Sequence, residues 1–109
     1  MNPAAIYKTL VETGSEMAQK RYEWEVLDGQ TKPMLASLTL EAKSIEQCSV
    51  AEATNIALAS ASYRDHLKEV AKARLGYGLA EVAYKASEAL WRAQQTEEAN
   101  QRAADKAAP

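Results

Sequence analysis

Several residue types are scarce in this 109-residue chain, and each shortage excludes a class of protein. The single cysteine, Cys48, cannot form an intramolecular disulfide, so a disulfide-stabilised secreted domain is excluded and a reducing, cytoplasmic setting is expected. No apolar run approaches the ~20 residues that a membrane-spanning helix needs, so no membrane partner is expected. Residues 1–8 also lack the basic region and apolar run of a secretory signal.

Phenylalanine is absent, and the chain has only four glycines and three prolines. Ala, Glu, Lys and Leu are abundant instead, and these residues are strong helix formers. The formal net charge of −2 argues against a simple nucleic-acid binder, which usually carries a basic excess. The composition therefore predicts an all-α protein, and its length limits it to a single domain.

No catalytic, cofactor-binding or metal-binding motif is recognisable. His66 is the only histidine, and without a second His or a nearby Cys it is expected at the surface or at a helix cap. Cys48 has no catalytic partner, so a half-buried structural role is expected. The Gly-Tyr-Gly sequence at 76–78 lacks the strand and the third glycine of a phosphate-binding loop. We therefore expect a protein that is not an enzyme and uses neither a cofactor nor a metal.

Start and stop signals divide the chain into four predicted helices. Asn2 is suited to cap a helix that begins at Pro3, and Gly29 can end that helix in a left-handed conformation. Ser49 and Glu52 have the spacing of a capping box. The predicted helices span residues 3–27, 33–46, 50–59 and 63–99; residues 1–99 form a single helical domain, and 100–109 form a frayed or disordered tail.

The fourth predicted helix is longer than the ~8 to 20 residues usual in globular proteins. Such a length indicates an elongated helical bundle or an antiparallel coiled coil with one long C-terminal helix. The sequence leaves open whether the first two helices continue into each other or fold back.

Two apolar rows run along this long helix. The first, the heptad row, repeats every seven residues, as a packing seam on a supercoiled helix does; it comprises Tyr63, Val70, Tyr77, Tyr84 and Trp91. The second, the aliphatic row, lies on nearly the opposite side; it comprises Leu67, Ala71, Leu75, Leu79, Val82, Ala86, Ala89 and Leu90. A helix that is apolar on two sides needs two partners. We therefore expect a homo-oligomer, a dimer or larger, in which Leu75, Leu79 and Val82 join the heptad row as core or assembly residues.

Basic side chains accompany both rows and are candidate phosphate contacts: Arg64, Lys68, Lys72, Arg74, Lys85 and Arg92. Aromatic residues flanked by Arg and Lys can stack unpaired bases, so single-stranded DNA is a candidate ligand. The alternative is that the aromatic residues only form a packing seam. Glu81 and Glu88 favour this alternative, because they lie among the aromatic residues and would repel phosphate.

Three stretches carry a resemblance to known proteins. They are Lys32…Leu35-Ala36…Leu38, Ser62-Tyr63-Arg64…His66-Leu67, and Trp91-Arg92…Thr96. In them the chain resembles small helical, uncharacterised proteins of tailed phages and prophages, which are often encoded beside genes for single-strand annealing and recombination. It departs from them at Gly29 and Pro33, which interrupt the first helix. The resemblance implies a non-enzymatic accessory role in phage DNA metabolism through protein partners, in the host cytoplasm.

The small size and acidic balance also suit a second function, inhibition of a host defence complex or nuclease by occupying its surface. Four glutamates on the first predicted helix would then form a phosphate-like patch; they are Glu12, Glu16, Glu23 and Glu25. A solvated helix face is the commoner meaning of such a run.

Overall fold

The computed structural model describes residues 2–107, and these residues are all-α, without a strand. Helix α1 spans Pro3–Gly29, α2 spans Thr31–Glu46, α3 spans Val50–Ala59 and α4 spans Ala61–Ala107. The predicted all-α fold with one long C-terminal helix is confirmed, and that helix is α4, with 47 residues.

Side chains from two residues start α1 and α3 as the sequence predicted. Each accepts a hydrogen bond from a backbone N–H that no helical carbonyl can reach. Asn2 Oδ1 accepts from the backbone N–H of Ala4 at 2.8 Å. Ser49 Oγ accepts from the backbone N–H of Glu52 at 3.2 Å, which is one half of the expected capping box.

A serine also sets the start of α4. Ser60 Oγ accepts from the backbone N–H of Tyr63 at 3.2 Å, while Ser60 itself has extended backbone angles that end α3. Helix α4 therefore begins at Ala61, two residues before the predicted start at residue 63.

The junction between α1 and α2 is a single residue, Gln30. Its backbone is right-handed helical, with φ −83° and ψ −10°, and its N–H donates to the carbonyl of Leu27 at 3.2 Å. The chain therefore passes from α1 into α2 without folding back. Pro33 is compatible with this path because it lies in the first turn of α2, where a missing N–H costs little.

The left-handed conformation predicted at Gly29 is wrong, because no glycine in residues 2–107 has a positive φ. The chain does not reverse at Gly29, so no left-handed residue is needed there. The left-handed residue is Gln47, with φ 51°, whose N–H donates to the carbonyl of Lys43 at 3.1 Å. This residue ends α2, and α3 then packs against α2 through the buried Ala42, Ala53 and Ala57.

The described residues form two compact units. The terminal unit combines residues 2–19 with 78–107, and the central unit is residues 20–77. In the terminal unit the rings of Tyr7 and Trp91 lie 5.5 Å apart between centroids, and Gly14, further along α1, lies against the ring of Tyr84, which is earlier on α4. The two helices of this unit therefore run antiparallel.

The central unit has its own antiparallel pairing. The rings of Trp24 and Tyr77 stack at 5.8 Å with 18° between their planes. Thr31 Oγ1 lies 2.9 Å from His66 Nε2. Residue 24 thus meets residue 77 while residue 31 meets residue 66, so α4 runs against the direction of α1 and α2.

Residues 100–107, predicted to be a frayed or disordered tail, continue α4 as helix. Three of these eight residues are alanine, and alanine favours helix without help from a core. A side-chain hydrogen bond of 3.2 Å between Gln101 Nε2 and Asp105 Oδ1 spans one turn of this segment. The last two residues of the predicted tail, 108 and 109, lie outside the described residues.

Candidate interaction surfaces

The heptad row of α4 faces the interior of each unit. In the central unit Tyr63 is buried, and Val70 and Tyr77 are half-buried. In the terminal unit Tyr84 and Trp91 are half-buried. Because these side chains pack within the units, they do not form an exposed ladder on which single-stranded DNA could stack.

A second row completes the inward face of α4, and sequence reasoning missed it. Its members follow the heptad row at three residues and are mostly small: His66, Ala73, Ala80, Ser87 and Gln94. Each is buried or half-buried. Alternating spacings of three and four residues are the signal of a coiled-coil seam, and the same signal runs through α1 from Ile6 to Leu27.

His66 is buried, so the expected position at the surface or at a helix cap is wrong. Its exposed fraction is only 7%, because it belongs to the second inward row of α4. The hydroxyl of Thr31 forms a hydrogen bond of 2.9 Å with Nε2 of the imidazole ring. Cys48 is half-buried, as expected. Within residues 2–107, no cluster of three His, Cys, Asp or Glu side chains could hold a metal ion.

Three of the six candidate phosphate contacts have partners inside the protein. The guanidinium of Arg74 lies 5.1 Å from the ring centroid of Trp24 and 4.9 Å from that of Tyr77. Such cation–π contacts are worth about 0.5–1 kcal/mol at exposed sites. Two further ion pairs bridge one helical turn: Lys85 to Glu81 at 3.7 Å and Arg92 to Glu88 at 3.2 Å. These three cations are therefore engaged within α4 or with α1.

The other three, Arg64, Lys68 and Lys72, are exposed on α4. None of them forms an ion pair with a residue in the described part of the chain. Of the six candidates, these three have charge left for a partner.

The aliphatic row is exposed in both units. Leu67 and Leu75 are exposed in the central unit, and Leu79, Val82 and Leu90 are exposed in the terminal unit. Leu75, Leu79 and Val82 thus lie on the outer side of α4 and take no part in the inward seam with the heptad row. Exposed aliphatic residues that recur along one helix make the aliphatic row a candidate surface for a partner.

The central unit also contains a groove between α2 and α3, the α2–α3 groove, of about 250 Å³. The buried Ala42 and the exposed Ile45 line its α2 side, and Ile56 lines its α3 side. Glu41 and Glu46 stand at its edge. Small-molecule sites usually measure about 300–1,000 Å³, so this groove is better suited to a few side chains of a docked helix.

No helix among the described residues combines the length and the apolarity required to cross a bilayer. Comparison of the chain with protein-family models, curated proteins and solved structures gives no match.

Proposed function

We propose that this protein is a non-enzymatic binding protein that docks a helical protein partner on the aliphatic row of its terminal unit. The exposure of Leu79 and Val82 carries the proposal, because 63% and 66% of their surfaces remain in water. Full burial of such a side chain is worth about 1.5–3 kcal/mol. A partner that covers the row therefore gains several favourable contacts at once.

The charges around this row indicate what kind of partner fits. Glu81 is paired with Lys85, and Glu88 with Arg92, so the flanks carry both signs in balance. A balanced flank neither attracts nor repels a strongly charged partner. The partner best suited to it is the apolar face of an amphipathic helix, with anchors at helical spacing.

The resemblance to phage proteins encoded beside recombination genes supports an accessory role in phage DNA metabolism or recombination. The partner is then a recombination protein or a single-strand-binding protein in the host cytoplasm. Direct contact of this chain with single-stranded DNA has less support, because the heptad row packs inward and Arg74, Lys85 and Arg92 have partners within the protein.

The alternative, an inhibitor that presents a phosphate-like acidic patch, also loses support. Three of its four glutamates are paired with a basic residue one turn away; the pairs are Lys8–Glu12 at 3.8 Å, Lys20–Glu23 at 3.7 Å and Arg21–Glu25 at 2.9 Å. Paired carboxylates imitate a phosphate backbone poorly, because the neighbouring cation cancels much of their field.

Site-specific photo-crosslinking tests the proposal. A benzophenone side chain at position 79 should crosslink one defined protein in cells that express the chain during phage growth. The change Val82→Glu should abolish that crosslink, whereas Thr96→Glu, on an exposed polar turn of the same helix, should leave it intact. Equal crosslinking in both variants would remove the aliphatic row as the docking surface.

A further inference from the structure

We infer that the protein self-associates through its central unit: a basic strip on α4 of one copy lies in the α2–α3 groove of a second copy, and the reverse contact forms at the same time. This inference goes beyond the proposed function, because it uses other residues in the other unit and a different occupant.

The basic strip is a continuous exposed face of α4. Its six members recur at three- and four-residue spacing, which places them on one side of a helix; they are Arg64, Leu67, Lys68, Ala71, Lys72 and Leu75. The two leucines are 44% and 63% exposed. The three cations form no ion pair with any residue in 2–107. The strip thus presents apolar anchors beside unpaired positive charge.

The α2–α3 groove has the complementary features. Ile45 and Ile56 line it and are 68% and 44% exposed. Glu41 and Glu46 stand at its edge, and neither carboxylate forms an ion pair with a described residue. The groove therefore offers apolar contacts beside unpaired negative charge.

The spacing of the charges permits two ion pairs. Glu41 and Glu46 are five residues apart on α2, which is about 7.5 Å along the helix axis and about 140° around it, so the two carboxylates lie on either side of the α2 residues that line the groove. Lys68 and Lys72 are four residues apart on α4, about 6 Å along its axis. Flexible lysine side chains span the difference, so both ion pairs can form while the leucines of the strip meet the isoleucines of the groove.

The other apolar groove of the central unit lacks this complementarity. It measures about 460 Å³ and is lined by Lys32, Leu35, Ala36, Thr39, Leu40 and Thr54. It carries one lysine and no carboxylate, so a basic strip would be repelled there.

A second copy is the occupant that the charges favour. An unrelated partner would have to present an acidic groove to the strip and a basic apolar helix to the groove, whereas a second copy presents both. Because strip and groove lie in the same unit, a two-fold axis lets each copy use both surfaces. Closed two-fold dimers are the commonest symmetric assembly.

Charge reversal with chain mixing tests the inference by light scattering after size exclusion. The wild-type chain should be a dimer at micromolar concentration. The strip variant, Lys68→Glu with Lys72→Glu, should dimerise at least tenfold more weakly, because both of its contacts become repulsive. The groove variant, Glu41→Lys with Glu46→Lys, should also dimerise at least tenfold more weakly, for the same reason. An equimolar mixture of the two should recover the dimer, because one contact is then native and the other is charge-swapped.

Three results would overturn the inference: a wild-type monomer at 100 µM, a dimer of unchanged affinity in either variant, or a mixture that stays monomeric. Binding of a single-stranded oligonucleotide by a monomeric wild type, lost in the strip variant, would assign the strip to nucleic acid instead. Circular dichroism checks that each variant is folded. If a variant is not folded, glutamine at the same two positions replaces the reversed charges, and this milder variant should still weaken the dimer at least threefold.

The result for the dimer can be distinguished from the result for the proposed partner. Val82→Glu lies in the terminal unit, so it should leave the dimer unchanged while it abolishes partner crosslinking. A dimer without a crosslinked partner, or a crosslinked partner without a dimer, would refute one statement and leave the other standing.

Discussion

Gly14 on α1 lies against the ring of Tyr84 on α4, at a position where a Cβ atom would be only 3.1 Å from Cε1 of the tyrosine. This contact explains why a glycine, which costs about 1 kcal/mol relative to alanine within a helix, occupies the middle of α1. The missing side chain lets the half-buried ring of the heptad row approach the α1 backbone.

The first prediction concerns this contact. Gly14→Leu should lower the free energy of unfolding by about 1–3 kcal/mol despite the better helix propensity of leucine, because its side chain would occupy the space of the Tyr84 ring. Gly14→Ala should be stabilising only when Tyr84 is also replaced by alanine. Urea denaturation of Gly14→Ala, of Tyr84→Ala and of the double variant measures the coupling energy between the two positions, which should exceed about 0.5 kcal/mol. If the changes in the free energy of unfolding are additive, the contact with Tyr84 does not determine which residue fits at position 14.

The second prediction concerns the aromatic stack of the central unit. Tyr77→Ala should lower the free energy of unfolding by about 2 kcal/mol or more, because it removes the stack with Trp24 and one side of the Arg74 contact. Tyr22→Ala is the matched control, since 64% of that side chain is exposed. It should change stability by less than about 0.5 kcal/mol. Equal losses in the two variants would contradict the role given to the stack.

The third prediction concerns the contact between half-buried Thr31 and buried His66. Thr31→Val keeps the shape of the side chain but leaves the imidazole without its hydroxyl partner, which should cost about 1–3 kcal/mol. Adding His66→Leu should recover part of that loss, because an apolar side chain needs no partner there. Thermal and urea unfolding of the two single variants, Thr31→Val and His66→Leu, and of the double variant check this. If the double variant loses as much as the sum of the two single changes, the hydrogen bond is not what stabilises this position.

Local signals on the sequence were sufficient for much of the fold. The caps at Asn2 and Ser49 depend on neighbouring residues only, so they were predictable without knowledge of packing. The path through Gly29 and Pro33 was not, because both residues are compatible with a continued helix as well as with a reversal. The chain reverses at Gln47, where no glycine or proline signals a left-handed residue or a turn.

The candidate surfaces were predictable only in part. The two sides of α4 were visible from periodicity, but a seven-residue repeat alone does not reveal the second inward row, so His66 was expected at the surface. Leu75 and Val82 were grouped with the heptad row because both rows are apolar. The groove that Ile45 and Ile56 line depends on how α3 packs on α2, which no local pattern of either helix specifies.

The fourth prediction separates folding from binding and tests the account most directly. In this account α4 holds the fold with its inward rows and binds the protein partner with the aliphatic row of the terminal unit. Val82→Glu and Tyr84→Ala lie two residues apart on this helix, one exposed and one half-buried. Both should be measured for unfolding in urea and for photo-crosslinking from position 79. The account predicts that Val82→Glu changes stability by less than about 0.5 kcal/mol and abolishes the crosslink, whereas Tyr84→Ala lowers stability by about 2 kcal/mol or more. A Val82→Glu chain that keeps its crosslink, or a Tyr84→Ala chain of unchanged stability, would contradict it.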